Sequence, residues 1–587
     1  MTIPTPNGMK AVFFPSILMF LFLGIASVLQ AQDTLYGPAP VAYTNSSHLV
    51  SASVFYWYGP VGGQLSGPWV PVEGRVNWTG LPVWWESQVR QIMAANIDIM
   101  YVHLMPYTEE VRLNLFRALS AMRAKGYDVP KVAPFLDPLI TWDGKPNIDV
   151  ATTEGKDSLA AQYIRFYTQY FTFNTDAYAD DYIAKIEGKP ILDTWHVFLN
   201  VDNVDSLKKS DLSSRLSLAF GQTHPFFNNG IHMVTTALNF PIFSFSDERV
   251  AQFEINNYFH ATTFNNIKSV QLKAGYWDQN IRNPGDFLPR DGGVHYADAW
   301  ALIDSSVNRI YVESWNEYDE GTGIYAGSVA PPFIKPGSGN TNTDTWSSSN
   351  DPYEYIKTTS VGAALFNDYP VLDAKFLRHT IPSQMNPNEQ AVVYVTTRNE
   401  GTEKWSSNSG VSLRQDPNDA VIFSSGGGVI DDAMHEIPLF GGIFRGRPIE
   451  FELQLSAPLQ VGKVMTHWYM IKDGVAFGDT LALPIEVSGF PVSITDQVVK
   501  QAATLSQNKP NPAADHTIIP FSVDAPSHLS ISLLDLMGKE VRVLAEGSFG
   551  AGDHEVSVDI STLASGMYIY LLRVEGGSSI RRRLMVE

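Results

Sequence analysis

The chain has 587 residues, a formal net charge of −20 and no cysteine. At about 100–200 residues per domain, this length predicts three or four folded units. The acidic charge argues against nucleic acid as a partner, because phosphate backbones attract basic surfaces. Without cysteine, the chain has no disulfides, no thiol catalysis and no cysteine-ligated zinc.

Residues 1–31 have the pattern of a secretory signal peptide. Lys10 supplies the charged start, an apolar run follows it, and Ala31 precedes a plausible cleavage point. An amino-terminal membrane anchor is the alternative interpretation. No later window is apolar over about 18 residues, so the mature chain is not expected to be transmembrane.

From residue 36 to residue 374, helical and strand patterns alternate, which predicts an α/β domain. Parallel strands joined by helices over this length are typical of a (β/α)8 TIM-type barrel. A doubly wound open sheet is the alternative, but no GxGxxG or phosphate-binding loop motif is present. The predicted helices cover Trp85–Ala95, Leu113–Lys125, Leu159–Phe171, Tyr296–Ser305 and Tyr353–Phe366, and the predicted strands cover Ile97–Leu104, Lys131–Leu136, Lys189–Phe198, Ser269–Trp277 and Arg309–Trp315.

Two all-β domains are predicted after the barrel. Residues 375–487 alternate in the manner of strands, which fits an Ig-like β-sandwich. Residues 488–504 have the composition of a linker, and residues 505–587 predict a small terminal β-sandwich. Residues 331–352 are rich in turn-forming residues and predict a long loop that leaves the barrel.

The most informative motif is ESWNEYDEGTG, from Glu313 to Gly323. It begins at the carboxyl end of a predicted strand, on the rim where TIM barrels carry their active sites. Glu317 and Glu320 lie three apart in a turn, so both can face one pocket. Hydrolysis of a glycosidic bond uses two carboxyl groups, and one anion raises the pKa of its neighbour. A solvated loop or a calcium site is the alternative.

Other candidates lie near predicted strand ends, where side chains can reach a bound sugar. Core packing or a structural hydrogen bond is the alternative for each of them. They are Tyr56 and Tyr58 in VFYWYG on the first predicted strand, His103, Asp137, Trp195 and His196 at later strand ends, Tyr276 and Trp277 before the motif, and Asn316 and Tyr318 within it.

The carboxy-terminal segment resembles the sorting domain of the bacterial type IX secretion system. The resemblance rests on LSQNKPNPA, SISLLDLMGKEVRVL, GDHEVSVDISTLASGMYIY and the final RRRLMVE. It implies that the type IX secretion machinery is a partner and that the chain is secreted or held at the outer-membrane surface. The middle domain resembles Ig-like domains first described in autophagy receptors, through NEGTEKW, APLQVGKVMTHWYM and GVAFGD.

The barrel resembles glycoside hydrolase family 99 and its relatives, mainly through WNEYDEGTGI, with weaker likeness in VFYWYG, IEGKPIL and RDGGVHYADAW. The family has Trp-His where this chain has Tyr318-Asp319, so its mannan substrate is not carried over. The resemblance implies that Glu320 is the general acid/base. It implies that Glu317 is the base on the sugar 2-hydroxyl, which gives an anhydro-sugar and net retention. A looser match leaves Glu317 as a direct nucleophile.

These observations predict an exported, endo-acting glycoside hydrolase that cleaves a polysaccharide or glycan and needs no cofactor or metal. The alternative is a non-catalytic surface glycan-binding protein built on a barrel scaffold. The sequence leaves the sugar, its linkage and the oligomeric state open.

Overall fold

The computed structural model describes fourteen segments of the chain: residues 33–34, 42–56, 58, 65–105, 109–138, 146–195, 200–236, 245–250, 256–419, 422–425, 442–489, 503–534, 540–574 and 579–586. The predicted signal peptide and most of the predicted linker lie outside these residues. The chain divides into two compact units, Met1–Phe490 and Pro491–Glu587. The first unit contains the α/β domain and the β-sandwich that follows it.

Eight parallel strands form a nearly closed, barrel-like sheet. Its hydrogen-bonded order is β6-β5-β4-β3-β2-β1-β8-β7, and β6 and β7 have no ladder between them in the described residues. The first two strands are buried along their whole length, as expected for a parallel sheet covered on both faces. The strands are β1 Leu49–Val54, β2 Ile99–His103, β3 Lys131–Leu136, β4 Lys189–Trp195, β5 His232–Thr236, β6 Glu248–Val250, β7 Ile267–Lys273 and β8 Arg309–Glu313.

Six helices in the described part of the domain cover the outside of this sheet. They follow β1, β2, β3, β4, β7 and β8, so the predicted alternation is realised at six of the eight strands. Among the described residues no helix follows β5 or β6, and the antiparallel strand Phe259–Phe264 precedes β7 instead. The helices are α1 Pro82–Ala94, α2 Glu109–Ala124, α3 Thr153–Phe173, α4 Lys209–Phe220, α5 Val294–Ala301 and α6 Glu354–Phe366.

Short elements complete this domain. Five 3-10 helices and several two-residue strands lie in its connections, and residues 331–352 contain no helix or strand, as predicted. The 3-10 helices are Arg75–Asn77, Ala179–Tyr182, Val204–Ser206, Pro225–Asn229 and Asp291–Gly293, and the short strands are Ile148–Asp149, Lys185–Ile186, Val201–Asp202, Tyr276–Trp277 and Phe287–Leu288.

Two strand predictions are wrong at their carboxyl ends. The first strand ends at Val54, the first residue of VFYWYG, so Tyr56 and Tyr58 lie beyond the strand. The predicted strand Ser269–Trp277 ends at Lys273. At Gly275 the chain passes so close to Arg290 that an added Cβ atom would lie 2.6 Å from the Arg290 Cγ. Beyond this point Tyr276–Trp277 pairs with Phe287–Leu288 instead.

The β-sandwich packs two sheets around Trp405, Phe451 and Trp468, which are buried. One sheet has the order Asp33–Thr34, β9, β11, β13, Ile422–Ser425, and the other has the order Gln384–Met385, β15, β14, β12. The strands carrying labels are β9 Ala374–His379, the two-residue β10 Gln384–Met385, β11 Gln390–Asn399, β12 Val411–Gln415, β13 Pro448–Ser456, β14 Gly462–Lys472 and β15 Val475–Val487. Alternate residues of β13 are buried, which gives the sandwich its inward face.

The second unit is a small β-sandwich of three and four strands. Ile519, Ile531 and Tyr570 lie in its buried core. Its strands are β16 Ala503–Leu505, β17 His516–Val523, β18 Ser527–Leu534, β19 Glu540–Phe549, β20 Gly552–Asp559, β21 Gly566–Val574 and β22 Ser579–Val586. Across all the described segments, no helix is long and apolar enough to span a bilayer.

Candidate active site

The motif of Glu313 to Gly323 forms a closed turn at the carboxyl end of β8. The Glu317 amide donates to the Ser314 Oγ at 2.6 Å, and the Thr322 amide donates to the Glu317 carbonyl at 3.2 Å. The Ser314 and Thr322 hydroxyl oxygens lie 3.0 Å apart, which joins the two arms of the turn. These bonds hold Glu317 and Glu320 on the same short segment above the sheet.

Glu317 is buried, with 8% of its surface exposed, and its carboxylate accepts a short hydrogen bond from the Tyr58 hydroxyl. That hydroxyl accepts the amides of Tyr318 at 3.0 Å and Asp319 at 3.3 Å. Because the two amides occupy its acceptor positions, the Tyr58 hydroxyl directs its own proton to Glu317. Tyr58 therefore orients the Glu317 carboxyl and does not itself face solvent.

The carboxyl groups of the turn influence one another electrostatically. Burial raises the pKa of Glu317 well above the usual carboxyl range, and the charge of Glu320 raises it further. Burial also raises the pKa of Asp319 to about 6, although the amides of Ser66 and Gly67 donate to its carboxylate. Such crowding of carboxyls in a partly desolvated place is the pattern that acid–base catalysis uses.

Glu320 is the more accessible of the two glutamates, with 26% of its side chain exposed. Arg282 donates to its Oε1 at 2.7 Å and to Oδ2 of Asp278 at 2.5 Å. The Tyr276 hydroxyl completes the cluster by donating to Asp278 at 2.9 Å. The Trp277 amide donates to the Glu320 carbonyl at 2.8 Å, so the backbone of this segment also supports the turn.

Glu313 and Lys273 are site residues that sequence reasoning missed. They lie opposite each other at the last positions of the paired strands β8 and β7, and both are buried. The side-chain amide of Gln271 donates to the Glu313 carboxylate at 2.6 Å. Burial raises the pKa of Glu313 to about 7, although the nearby Lys273 charge opposes this. The sequence signal that could have identified Lys273 and Glu313 is their position at the carboxyl end of a strand, where barrel enzymes carry site residues.

Arg290 also supports the site and was not predicted to do so. In the sequence it stood out only as part of RDGGVHYADAW, which resembles glycoside hydrolase family 99. Its guanidinium is fully buried and donates to the carbonyls of Gly321 at 2.9 Å and Gly323 at 2.6 Å. The ring centroids of Trp69, Trp346 and Tyr355 lie 4.4–4.6 Å from it. Arg290 thus fixes the far end of the glutamate turn by hydrogen bonds and cation–π contacts.

Three predicted substrate-binding residues lie below the rim. Tyr56 is fully buried, and its hydroxyl receives Arg112 at 2.7 Å and the Met105 amide at 2.8 Å. His103 is also buried, and burial lowers its pKa to about 3, so its imidazole is neutral at physiological pH. The Asn316 side chain exchanges two hydrogen bonds with the Phe55 backbone, at 2.6 and 2.7 Å. We therefore regard all three as supports of the rim.

Of the remaining predicted residues, three are buried under the turn and two lie at strand ends on the rim. Trp277 and Tyr318 are buried in aromatic packing under the turn, and Tyr276 is buried with its hydroxyl bonded to Asp278. Trp195 is half-buried at the end of β4, with its ring 6.0 Å from that of Phe135, and Asp137 is 8% exposed after β3. His196 lies outside the described residues. In the segments that the structure describes, no three His, Asp or Glu side chains are grouped to hold a metal ion.

Family models match two parts of the chain. Residues 380–487 match the Ig-like domain from next to BRCA1 gene, and residues 510–587 match the secretion system C-terminal sorting domain. Both matches confirm the resemblances found in the sequence. The sorting domain indicates export to the cell surface or into the medium. No curated protein matches the chain.

Several solved structures with similar backbones are glycoside hydrolases and one is the Yersinia pseudotuberculosis adhesin InvE, all at low similarity. The GH99 endo-alpha-mannosidase of Bacteroides thetaiotaomicron has a TM-score of 0.39 and 15% identity, and the match covers 56% of this chain and 99% of that one. The beta-glucuronidase 3 of Bacteroides uniformis has a TM-score of 0.29 and 8% identity, over 92% of this chain and 64% of that one. TM-scores this low establish neither a shared fold nor a shared function. The chain is thus placed by its two carboxy-terminal domains, an Ig-like domain followed by a secretion sorting domain.

Proposed function

We propose that this protein is an exported, endo-acting glycoside hydrolase whose active site is the glutamate turn after β8. The eight parallel strands belong, in this proposal, to a (β/α)8 barrel with its site at the carboxyl ends of the strands. Glu320 serves as the general acid and base. Glu317 serves as the base on a substrate hydroxyl or as the nucleophile. The substrate is a polysaccharide or a glycan, cleaved with retention of configuration.

The observation that carries the proposal is the electrostatic coupling of Glu317 to Glu320 within one buried turn. Burial and the charge of Glu320 raise the pKa of Glu317, so its carboxylate is a stronger base than an exposed glutamate. Tyr58 holds that carboxylate by one oxygen and leaves the other available. Two carboxyl groups with different environments are what glycoside hydrolysis requires.

The steps follow from these roles. Glu320 gives its proton to the leaving oxygen as the bond from that oxygen to the anomeric carbon breaks. Glu317 removes the proton of the sugar 2-hydroxyl, and the 2-oxygen closes on the anomeric carbon to give an anhydro-sugar. Water then opens this ring with Glu320 as base, and the proton on Glu317 returns to the 2-oxygen. The alternative for Glu317 is direct attack on the anomeric carbon.

Trp195 and Asp137 are the described side chains proposed to face the substrate. They lie at the ends of β4 and β3, on the same rim as the glutamates, and Trp195 retains exposed ring surface. Trp277 and Tyr318 are buried and support the turn from below, so we do not propose that their rings stack on the sugar.

The test is a reducing-sugar assay on a panel of neutral and charged polysaccharides, with wild type, Glu320→Gln and Glu317→Gln. Each variant should lose roughly 10²–10⁴-fold in rate, the usual contribution of a positioned acid or base. Asp298→Asn is the matched control, since Asp298 is exposed on α5. Proton magnetic resonance of the first-formed product then reports retention or inversion.

Two results contradict the proposal. Full activity in Glu320→Gln removes Glu320 from the role of acid. Glycan binding without any product, in wild type and variants alike, supports instead a surface glycan-binding protein on a barrel scaffold.

A further inference from the structure

A cavity lies at the side of the barrel opposite the glutamate turn, where the amino ends of the strands meet the Ig-like sandwich. Its volume is about 690 Å³, which falls within the range of small-molecule sites. The barrel contributes Asp98 and Asn367 to its wall, and the sandwich contributes Arg398 and Arg445. The Asp128 amide donates to the Gly446 carbonyl at 2.9 Å beside it. The cavity therefore exists only because these two domains dock.

Tyr369 is the centre of a cluster of polar contacts in the wall of this cavity. The Arg445 guanidinium lies 3.7 Å from the centroid of its ring. Its hydroxyl donates to Oδ1 of Asp98 at 2.5 Å and accepts Nδ2 of Asn367 at 2.9 Å. Asn367 also donates to Oδ2 of Asp98 at 3.0 Å, so these polar groups are held in fixed positions.

Two buried polar atoms at this place have no hydrogen-bond partner among the described residues. They are Nε of Arg445, a donor, and Oδ1 of Asn367, an acceptor. Both residues contact Tyr369, one at its face and one at its hydroxyl. Buried donors and acceptors are nearly always satisfied in folded proteins, so a group beyond the described residues completes them. A hydroxyl group can do so, because it accepts and donates.

The charge of the lining defines the ligand class. Six acidic and four basic residues line the cavity, which disfavours an anionic ligand. Arg398 is already paired with Glu400 at 2.5 Å, and the Lys131 ammonium donates to the Asp181 carbonyl at 2.8 Å. The aromatic ring of Tyr43 also lines the cavity and adds an apolar surface.

We propose that this interdomain cavity is a second, non-catalytic site that binds a neutral polyhydroxyl ligand, a sugar unit of a glycan. The site assigns a function to the Ig-like domain, which supplies Arg445. It does not depend on the proposed chemistry of Glu317 and Glu320.

The test is hydrogen–deuterium exchange on the full chain carrying Glu320→Gln, so that no probe is hydrolysed. Cellotetraose, maltotetraose and mannotetraose are the neutral probes, and inorganic sulfate is the anionic probe. We expect a neutral tetrasaccharide to protect the peptides containing residues 367–370 and 442–447. Arg445→Met should weaken that protection at least about tenfold in apparent affinity, as expected for loss of a charged hydrogen-bond donor.

The matched control is Arg414→Met, because Arg414 is an exposed arginine of the same sandwich and does not line the cavity. Ser46→Trp, at an exposed lining residue, replaces Arg445→Met if the latter fails to fold. Absence of protection by any sugar, or protection unchanged in Arg445→Met and Ser46→Trp, overturns the proposal. Protection by sulfate alone overturns the neutral ligand class. Changes confined to residues 313–323 report the catalytic site and count against the second site.

Discussion

Two buried glutamates at opposite ends of the barrel have opposite environments. Glu248, at the amino end of β6, accepts Arg309 at 2.9 and 3.0 Å, and Nε2 of His232 lies 3.0 Å away. Although burial opposes it, His232 and Arg309 lower the pKa of Glu248. Glu317, at the carboxyl end of β8, has a tyrosine and further carboxyls as neighbours, and its pKa is raised.

The difference separates a structural charge from one available for chemistry. A carboxylate enclosed by cations stays ionised and holds strands together, but it has no proton to exchange near neutral pH. A carboxyl group crowded by other carboxylates has a raised pKa, so it keeps its proton to higher pH and can transfer that proton. In the proposed function, a glutamate therefore has a structural role at one end of the sheet and a catalytic role at the other.

Among the variants that test this comparison, Glu317→Gln should have the largest effect on the rate. The rate should fall roughly 10²–10⁴-fold, while the protein stays folded. Because the folded-state pKa of Glu317 is raised, wild-type stability falls as pH rises from the ordinary carboxyl pKa through the raised value. The variant lacks this loss. Thermal unfolding at pH 5 and pH 8 measures it, and an equal decline in both proteins contradicts the raised pKa.

Glu248→Gln should give the opposite pattern. Removing one member of a buried ion pair leaves Arg309 uncompensated and costs about 3–5 kcal/mol of unfolding free energy. Urea unfolding measures the change, and kcat at a temperature where the variant is folded should match wild type. The control is again Asp298→Asn. A stable Glu248→Gln variant with impaired catalysis reverses the roles assigned to the two ends.

Tyr58→Phe tests the hydrogen bond that orients Glu317. The Tyr58 hydroxyl stabilises the charged carboxylate and so lowers the pKa of Glu317 relative to burial alone. Without it, kcat/KM should fall about tenfold, and the acidic limb of its pH profile should move up by about one unit. A profile shifted to lower pH contradicts this role, because a base must be deprotonated to act.

Arg282→Gln should have the smallest effect. Half of the Arg282 side chain and a quarter of the Glu320 side chain are exposed, so this ion pair contributes about 0–1 kcal/mol. A glutamine side-chain amide at position 282 keeps a donor for the buried Asp278 carboxylate. We expect a change in stability below about 1 kcal/mol and a loss in kcat/KM of about fivefold or less. Arg282→Lys, which keeps the charge, should restore part of the rate. A large loss of stability would place Arg282 with the structural cations.

The sequence predicted the elements with strong periodicity and the motif at a strand end. The helix of Leu113–Lys125 was found because Leu115, Phe116, Leu119 and Met122 form one buried face, and α2 extends over Glu109–Ala124. Strands β5 and β6 were missed, because HMVTT and ERV are short and carry polar residues into the barrel. Their length gave too few positions for an alternation to be recognised.

The supports of the site could not be read from the chain. Tyr58 and Glu317 are 259 positions apart, and their hydrogen bond depends on β1 lying beside β8. Aromatic residues near a strand end suggest sugar contacts, but Tyr56 and Tyr318 are used for packing because the turn needs a rigid base. Lys273 and Glu313 meet only through the pairing of β7 with β8.

The short strand Asp33–Thr34 pairs with Arg378 and His379, so one edge of the Ig-like sheet is formed by residues from the opposite end of the first unit. Closing a loop of this length costs conformational entropy, and this cost arises before the strand pairing contributes its stabilising free energy. This edge is therefore among the last features of the unit to form. Until then the sheet presents an open edge to any neighbouring chain, and crowding during export raises its risk of aggregation.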